Sequence, residues 1–300
     1  MNSALDNIFR LSTKNPEAVI SIIDDSLDLK KNISCDLFSC ISDTECALAL
    51  LDKKQNKFLA LEVFRNEAGG DLNQQISWLK DLPGKSLILK NYPVKNASVA
   101  VINDKATLVP AALFKEEERK NYFQFNFSNE NVSVLSENIR GFEAVNVFGI
   151  PENLESAIHD VFENAVIHHH STALLEGIHL LFKKSHDKTL LVNIRKEAVD
   201  IVVIEGKKLV FSNAFGYRNA EDLIYYLLFA CDRLQLNPEM INTCLMGEIE
   251  RSSNVYQLIY KYIRNVSFAT RPNVFDFSYV FNELPEHFYF NLFSLALCES

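Results

Sequence analysis

The chain has 300 residues, 48% hydrophobic and 23% charged, with 30 basic against 39 acidic side chains and a net charge of −9. That length suits two domains of ordinary size. An acidic balance without a lysine–arginine cluster argues against non-specific nucleic-acid binding and against recruitment to an anionic membrane surface.

The N-terminus, "MNSALDNIFRLSTKNPEAV", has neither the apolar region nor the cleavage site of a secretory signal. No window reaches the roughly eighteen consecutive apolar residues of a membrane span. A cytoplasmic protein is expected. Residues 1 to 34 are polar and mixed apart from "AVISII". Three short apolar runs follow, "DLFSCIS" (36–42), "CALALLD" (46–52) and "KFLALEVF" (57–64), joined by polar turns. They predict an antiparallel meander. "DLNQQISWLKDLP" (71–83) predicts a helix capped by Asp71 and stopped at Pro83-Gly84.

"SLILK" (86–90) and "SVAVINDKATLVP" (98–110) predict further strands. "AALFKEEERKNYF" predicts a helix after Pro110, with "KEEERK" (115–120) as a solvated face pairing Glu116 with Lys120. Alternation in "NYFQFNF" (121–127) suggests instead a strand with Phe123, Phe125 and Phe127 on one face. "NVSVLSENI" and "FEAVNVFGI" are extended, and Pro151 opens a helix, "PENLESAIHDVFENA". A short extended link, "VIHHHS" (166–171), leads to "STALLEGIHLLFKK", a helix with Ser171 as its expected cap.

The opening pattern then returns. "TLLVNIR" (189–195), "VDIVVIEG" (199–206) and "KLVFSNAF" (208–215) form a second meander, followed by "NAEDLIYYLLFACDRLQL", a helix capped by Asn219. "INTCLMGEI" predicts a strand and "NVYQLIYKYIRNV" a helix. "VFDFSYVFNELP" is ambiguous, and "HFYFNLFSLALCE" is a buried closing element. Strand–strand–strand–helix thus occurs twice, as a repeat of pattern without residue identity.

Chemistry-bearing motifs are few. The six cysteines form no C-x-x-C and no zinc-finger spacing, and all but Cys35 lie in apolar runs, so buried reduced thiols are expected. With nine glycines there is neither a dinucleotide-binding fingerprint nor a P-loop. In an extended "VIHHHS", His168 and His170 share one face and His169 points away. His168 and His170 are therefore the weak candidate metal pair, with His159 or Glu163 as a third ligand. Packing and hydrogen bonding at a half-buried strand is the expected role, with no metal. "FSNAFGYRNAEDLIYY" places Asn213, Tyr217, Arg218 and Asp222 near a strand–helix junction of the kind that often holds ligands, although a capped helix explains them too.

"NKFLALEVF" (56–64), "FSNAFGYRNAEDLIYYLL" (211–228) and "FYFNLFSLALCE" (288–299) resemble the bacterial family catalogued as domain of unknown function 3822, from about residue 18 to the C-terminus. The resemblance implies an actin-like ATPase fold without an established activity. It also implies kinship with cytoplasmic scaffold proteins of type II secretion and type IV pilus machines. The expected fold class is α/β, with two ribonuclease-H-like halves in an actin-like ATPase arrangement and mixed sheets with flanking helices. Residues 1–164 would form the N-terminal half, 1–17 being an extension, and 165–300 the C-terminal half.

In that fold, ATP with Mg would be gripped between the halves by two hairpins bearing a carboxylate and a glycine, and by a glycine-paired adenosine loop. Here the first hairpin is "SCISDTECAL", with Asp43 and Thr44 at its tip and no glycine. The second is "NIRKEAVDI", with Lys196 and Glu197, and the late loop is "LMGEIERSSN", with Gly247 alone. Asp43, Thr44, Lys196 and Gly247 are the candidate nucleotide contacts. Missing glycines put β-carbons where phosphate oxygens would sit. The expectation is a degenerate, non-catalytic actin-like protein, without cofactor, that binds a protein partner or a second copy of itself. An ATP-binding protein or weak ATPase is the alternative.

Overall fold

In a computed structural model of the chain, residues 15, 17–29, 34–66, 71–128 and 130–298 are described. The expected extension over 1–17 lies outside these apart from Asn15 and Glu17. The described chain divides into two compact units. One takes its residues from 9–177, 273–283 and 291–298, the other from 178–272 and 284–290. Among the described residues no helix is long and apolar enough to cross a membrane.

The first unit begins with β1 (Ile20–Ile23), the helical turn α1 (Ser26–Leu29), and the meander β2 (Cys35–Ile41), β3 (Glu45–Asp52) and β4 (Lys57–Arg65). Helices α2 (Leu72–Lys85) and α3 (Leu87–Asn91) lead to β5 (Val94–Val101). A three-stranded excursion follows: β6 (Ala106–Pro110), helix α4 (Arg119–Gln124), β7 (Val132–Ile139) and β8 (Ala144–Pro151). Helix α5 (Glu152–Val161) and β9 (Val166–His169) then return to the main sheet, and α6 (His170–Phe182) carries the chain into the second unit. The sheet order is β1-β4-β3-β2-β5-β9. The meander is antiparallel, whereas β2–β5 and β5–β9 are parallel.

The second unit holds β10 (Lys188–Ile194), β11 (Ala198–Glu205), β12 (Lys208–Gly216), α7 (Ala220–Arg233), β13 (Asn242–Gly247), α8 (Asn254–Tyr262) and β14 (Asn265–Phe268). Its sheet order is β12-β11-β10-β13-β14, antiparallel across the meander and parallel beyond it. The strand order and orientations repeat those of β4-β3-β2-β5-β9. Both meanders read correctly from sequence because alternating apolar runs and polar turns are local signals.

Each sheet is buried on both faces at its centre. β2, β3 and β4 are almost continuously buried, as are β10 and β11. The segment left ambiguous by sequence becomes the short strand β15 (Asp276–Phe277), parallel to β4, and a 3-10 turn over Tyr279–Phe281. Helix α9 (Phe290–Leu295) follows. Phe293 on α9 sits 5.0 Å from Phe58 of β4 and 5.0 Å from Phe277, ring centre to ring centre, mostly edge to face. The C-terminal phenylalanines therefore complete one face of the first unit's sheet.

Several local expectations are overturned. "SLILK" is helix α3, not a strand. Ser86 caps it, and the buried Glu62 of β4 accepts from Ser86 Oγ (2.6 Å) and Ile88 N (3.0 Å). Pro83 does not stop α2, which runs to Lys85 with Pro83 in its last turn; Asp71 caps it as expected. "NYFQFNF" is helical through Gln124. Phe123 is fully buried, while Phe125 is 90% exposed. The Phe123 ring approaches so closely that a β-carbon on Gly149 would lie 2.4 Å from it. Glu116 pairs with Arg119, at 2.5 Å, rather than being placed for Lys120. Helix α6 begins at His170, one residue before the expected cap at Ser171.

Candidate functional site

In both sheets the parallel strands end on the side where the first hairpin of the meander turns, which is where α/β folds assemble ligand sites. In the first unit the β2–β3 turn carries Asp43, exposed, and Thr44, half-buried, at its tip, as the sequence implied. The turn is closed by its own serine. Ser42 Oγ accepts from Thr44 N (3.2 Å) and Glu45 N (2.9 Å), and Ser42 N donates to Glu45 O (2.8 Å). This is a serine turn, in which a hydroxyl takes the place of an external acceptor. Gln75 of α2 donates to Ser42 O (2.9 Å), and Arg65 pairs with Glu45 (3.1 Å), so the turn is braced from two sides.

In the second unit the β10–β11 turn presents Lys196 and Glu197 to solvent. Its closure is internal as well. Arg195 N donates to Ala198 O (2.9 Å), Tyr217 N to Glu197 O (3.0 Å) and the Tyr217 hydroxyl to Arg195 O (2.6 Å). Burial pushes the Tyr217 phenol up to about 12, so it stays a neutral donor. Behind the turn the Arg195 guanidinium grips Asp200 through two bonds (3.0 and 2.8 Å), and Asn193 adds a third (2.8 Å). Sequence reasoning missed this cluster. Its signal was an aspartate inside the apolar run "VDIVVIEG", since a charge in a buried strand needs a partner.

Gly247 ends β13 at φ +85°, a left-handed conformation suited to glycine. A β-carbon there would lie 2.2 Å from Ile194 O. Its N–H donates to His287 O (2.9 Å), and the next amide, Glu248 N, donates to Ile194 O (2.9 Å). The His287 ring donates from Nε2 to Ile249 O (2.7 Å) and lies tilted against Phe268, ring centres 4.2 Å apart. Both amides of the 247–248 step are therefore engaged within the unit.

Asn213, Tyr217, Arg218 and Asp222 sit at the β12–α7 junction. Asn219 caps α7 by accepting from Asp222 N (2.8 Å), and Asp222 accepts from Arg218 N (3.1 Å). Asn213 Oδ1 accepts from the adjacent Ala214 N. Asn219, Asp222 and Arg218 N thus form a helix-capping arrangement.

The three histidines are more deeply buried than a half-buried link, at 7%, 2% and 1% exposure. Their grouping also differs from the alternation expected of a strand. His169 and His170 come together, rings 4.5 Å apart, both donating from Nε2 to Asn103 O at the end of β5 (3.2 and 3.1 Å). His168 turns instead to Glu137 of β7, Nδ1 to Oε1 at 2.5 Å. The cause is the switch to helix at His170, which breaks the two-residue period. Glu137 also accepts from His169 N (3.0 Å) and Thr172 Oγ1 (2.6 Å). It thereby anchors the start of α6 to the excursion sheet. Among the described residues no group of three His, Cys, Asp or Glu side chains is placed to hold a metal ion.

All six cysteines are free. Burial pushes Cys35 and Cys46 up to about 12 and Cys231 and Cys244 up to about 11, and it raises Cys40 and Cys298 as well. Thiols so desolvated are poor nucleophiles at neutral pH.

Comparison with solved structures places this topology. A Bacteroides thetaiotaomicron protein with actin-like ATPase fold and unknown function superposes with a TM-score of 0.71 at 22% identity, covering 85% of this chain and 96% of that one. The PilM-PilN type IV pilus biogenesis complex superposes with a TM-score of 0.66 at 13% identity, covering 90% of this chain and 100% of the other. At such identities the likeness concerns the fold, which is the mixed α/β actin-like ATPase fold anticipated from sequence. No curated protein matches the chain. Residues 24–266 match the model of one family, and the chain belongs to that family: Protein of unknown function (DUF3822).

Proposed function

We propose that the protein is a non-catalytic actin-like module, acting in the cytoplasm by binding a protein partner rather than by hydrolysing ATP. The observation that carries this reading is the fate of the hairpin amides. A phosphate-gripping turn needs backbone N–H groups aimed outward at the anion. Here Thr44 N and Glu45 N are taken by Ser42 Oγ, and Gly247 N and Glu248 N by carbonyl oxygens. A phosphate at the first hairpin would have to replace two bonds already made, and a base at the late loop would meet two amides already engaged. The exposed Glu197 adds repulsion beside Lys196.

The alternative is an ATP-binding protein or weak ATPase, with Mg, using Asp43, Thr44, Lys196 and Gly247. Asp43 and Lys196 are exposed at their hairpin tips, which keeps this alternative testable. A partner-binding role is supported by the solved PilM-PilN complex, in which a protein of the same fold is held with another protein. The repeated strand order supports two halves of common origin.

Thermal unfolding with and without Mg-ATP separates the two readings. A ligand present at 100 times its Kd stabilises by about 2.7 kcal/mol, which raises Tm by roughly 5 °C in a protein of this size. We expect no rise at millimolar Mg-ATP. A rise that disappears in Asp43→Ala would establish the nucleotide-binding alternative instead.

A further inference from the structure

Helix α7 presents a stripe to solvent that none of the roles above uses. Its inner face is Ala220, Leu223, Ile224, Leu227, Ala230 and Cys231, all buried in the second unit's core. Opposite them stand Glu221, Tyr225, Phe229 and Arg233, each four residues from the next and each exposed. Tyr225 is 62% and Phe229 41% exposed, high for neighbouring large aromatics. They stack on each other with ring centres 6.0 Å apart, and the Arg233 guanidinium lies 5.0 Å over the Phe229 ring. The stripe is thus one continuous ridge, ordered acid, aromatic, aromatic, base.

That order is self-complementary when reversed. If a second helix of the same sequence lies antiparallel across the first, Glu221 meets the partner's Arg233, Tyr225 meets the partner's Phe229, and both contacts recur by symmetry. Residues four apart form the ridge that interdigitates with its like when helices cross at about −50°. A contact of this kind closes under a two-fold axis, as isologous interfaces do. We infer that the outer face of α7 is a homodimer interface and that its occupant is the α7 of a second copy of this chain. Charge pattern is the argument: an unrelated partner would need a base–aromatic–aromatic–acid ridge, and this chain carries one. The inference does not depend on whether nucleotide binds.

The pairing makes an unusual demand on mutants. In Glu221→Arg both ends of the stripe are basic, and in Arg233→Glu both are acidic. Each variant repels its own copy, yet the two variants complement each other at both ends. Sedimentation velocity on the full chain reads this out directly. The wild-type protein should dimerise with a Kd on the order of 10 µM, appropriate to a small interface. Each single reversal, and separately Phe229→Asp, should weaken association by about tenfold or more. An equimolar mixture of Glu221→Arg and Arg233→Glu should associate like the wild type, and so should the double reversal in one chain. Melting curves check that each variant folds, and a misfolded pair would not rescue each other. A wild type that stays monomeric at ten times that Kd would overturn the inference. So would single variants that dimerise normally, or a mixture that remains monomeric.

Discussion

Gly247 shows how much one residue can decide. Its φ of +85° and the 2.2 Å approach that a β-carbon would make to Ile194 O leave no room for a side chain. A left-handed non-glycine residue costs roughly 1–2 kcal/mol before any clash is counted. Gly247→Ala should therefore lose about 2 kcal/mol or more, read as a lower urea midpoint. The sequence singled out this glycine as a remnant of an adenosine loop. Its geometry gives it a second sufficient reason, which a lone glycine in a string cannot reveal.

His287, across from it, gives a pH signature. Burial holds the imidazole below its ordinary 6.5. The folded state then prefers the neutral ring, so the unfolded chain binds the proton more readily as pH drops past 6.5. Stability from this group is complete above that value and is lost as pH falls through the lowered folded one. Replacing it by glutamine, which keeps a donor for Ile249 O, should flatten the fall in urea midpoint between neutral pH and pH 5. An unchanged slope would mean that other groups set the acid limb.

At the scale of elements, local pattern and distant contact compete. The meanders were legible because strand period and turn chemistry are written within a few residues. Helix α3 was not, because its decisive partner is Glu62, on β4. That carboxylate is fully buried and accepts from Asn15 Nδ2 (2.7 Å), Ser86 Oγ and the amides of Leu87 (3.3 Å) and Ile88. Within "SLILK" Ser86 is the cap, but nothing there announces the carboxylate on another strand that accepts from it. Glu62→Ala would strand those donors in the core at a cost of about 3 kcal/mol, visible as a drop in Tm with loss of helical circular dichroism. A near-neutral substitution would show that the carboxylate is dispensable and that α3 is held without it.

The histidine run teaches the same lesson in reverse. Its position between two helices was legible, but its pairing was not. Where the strand ends and α6 begins is fixed by Glu137 on β7 and by Asn103 in the loop after β5. The Arg195–Asp200–Asn193 cluster was similarly hidden, since the residues are adjacent only once β10 and β11 pair.

At the scale of the molecule, the repeated meander and helix pointed to two similar α/β halves, and the family resemblance implied the actin-like ATPase fold. Within each meander, strand order follows from short connections and from the apolar character of the strands. What the string could not show is that the C-terminal phenylalanines return to the first unit. Ring contacts such as Phe58 with Phe293 join residues far apart in the chain, and no local period marks them. The candidate nucleotide residues were found at hairpin tips and a strand end, as expected. The state of the amides around them is a property of folded geometry alone. Thr44 N and Glu45 N belong to Ser42, and Gly247 N belongs to His287 O.

A hairpin that does not grip nucleotide requires those amides to be occupied from within. Isothermal titration of the full-length protein with Mg-ATP tests it most directly. We predict no saturable heat up to millimolar nucleotide. A stoichiometric isotherm abolished by Asp43→Ala would contradict the account, because it would mean that the hairpin opens to receive phosphate.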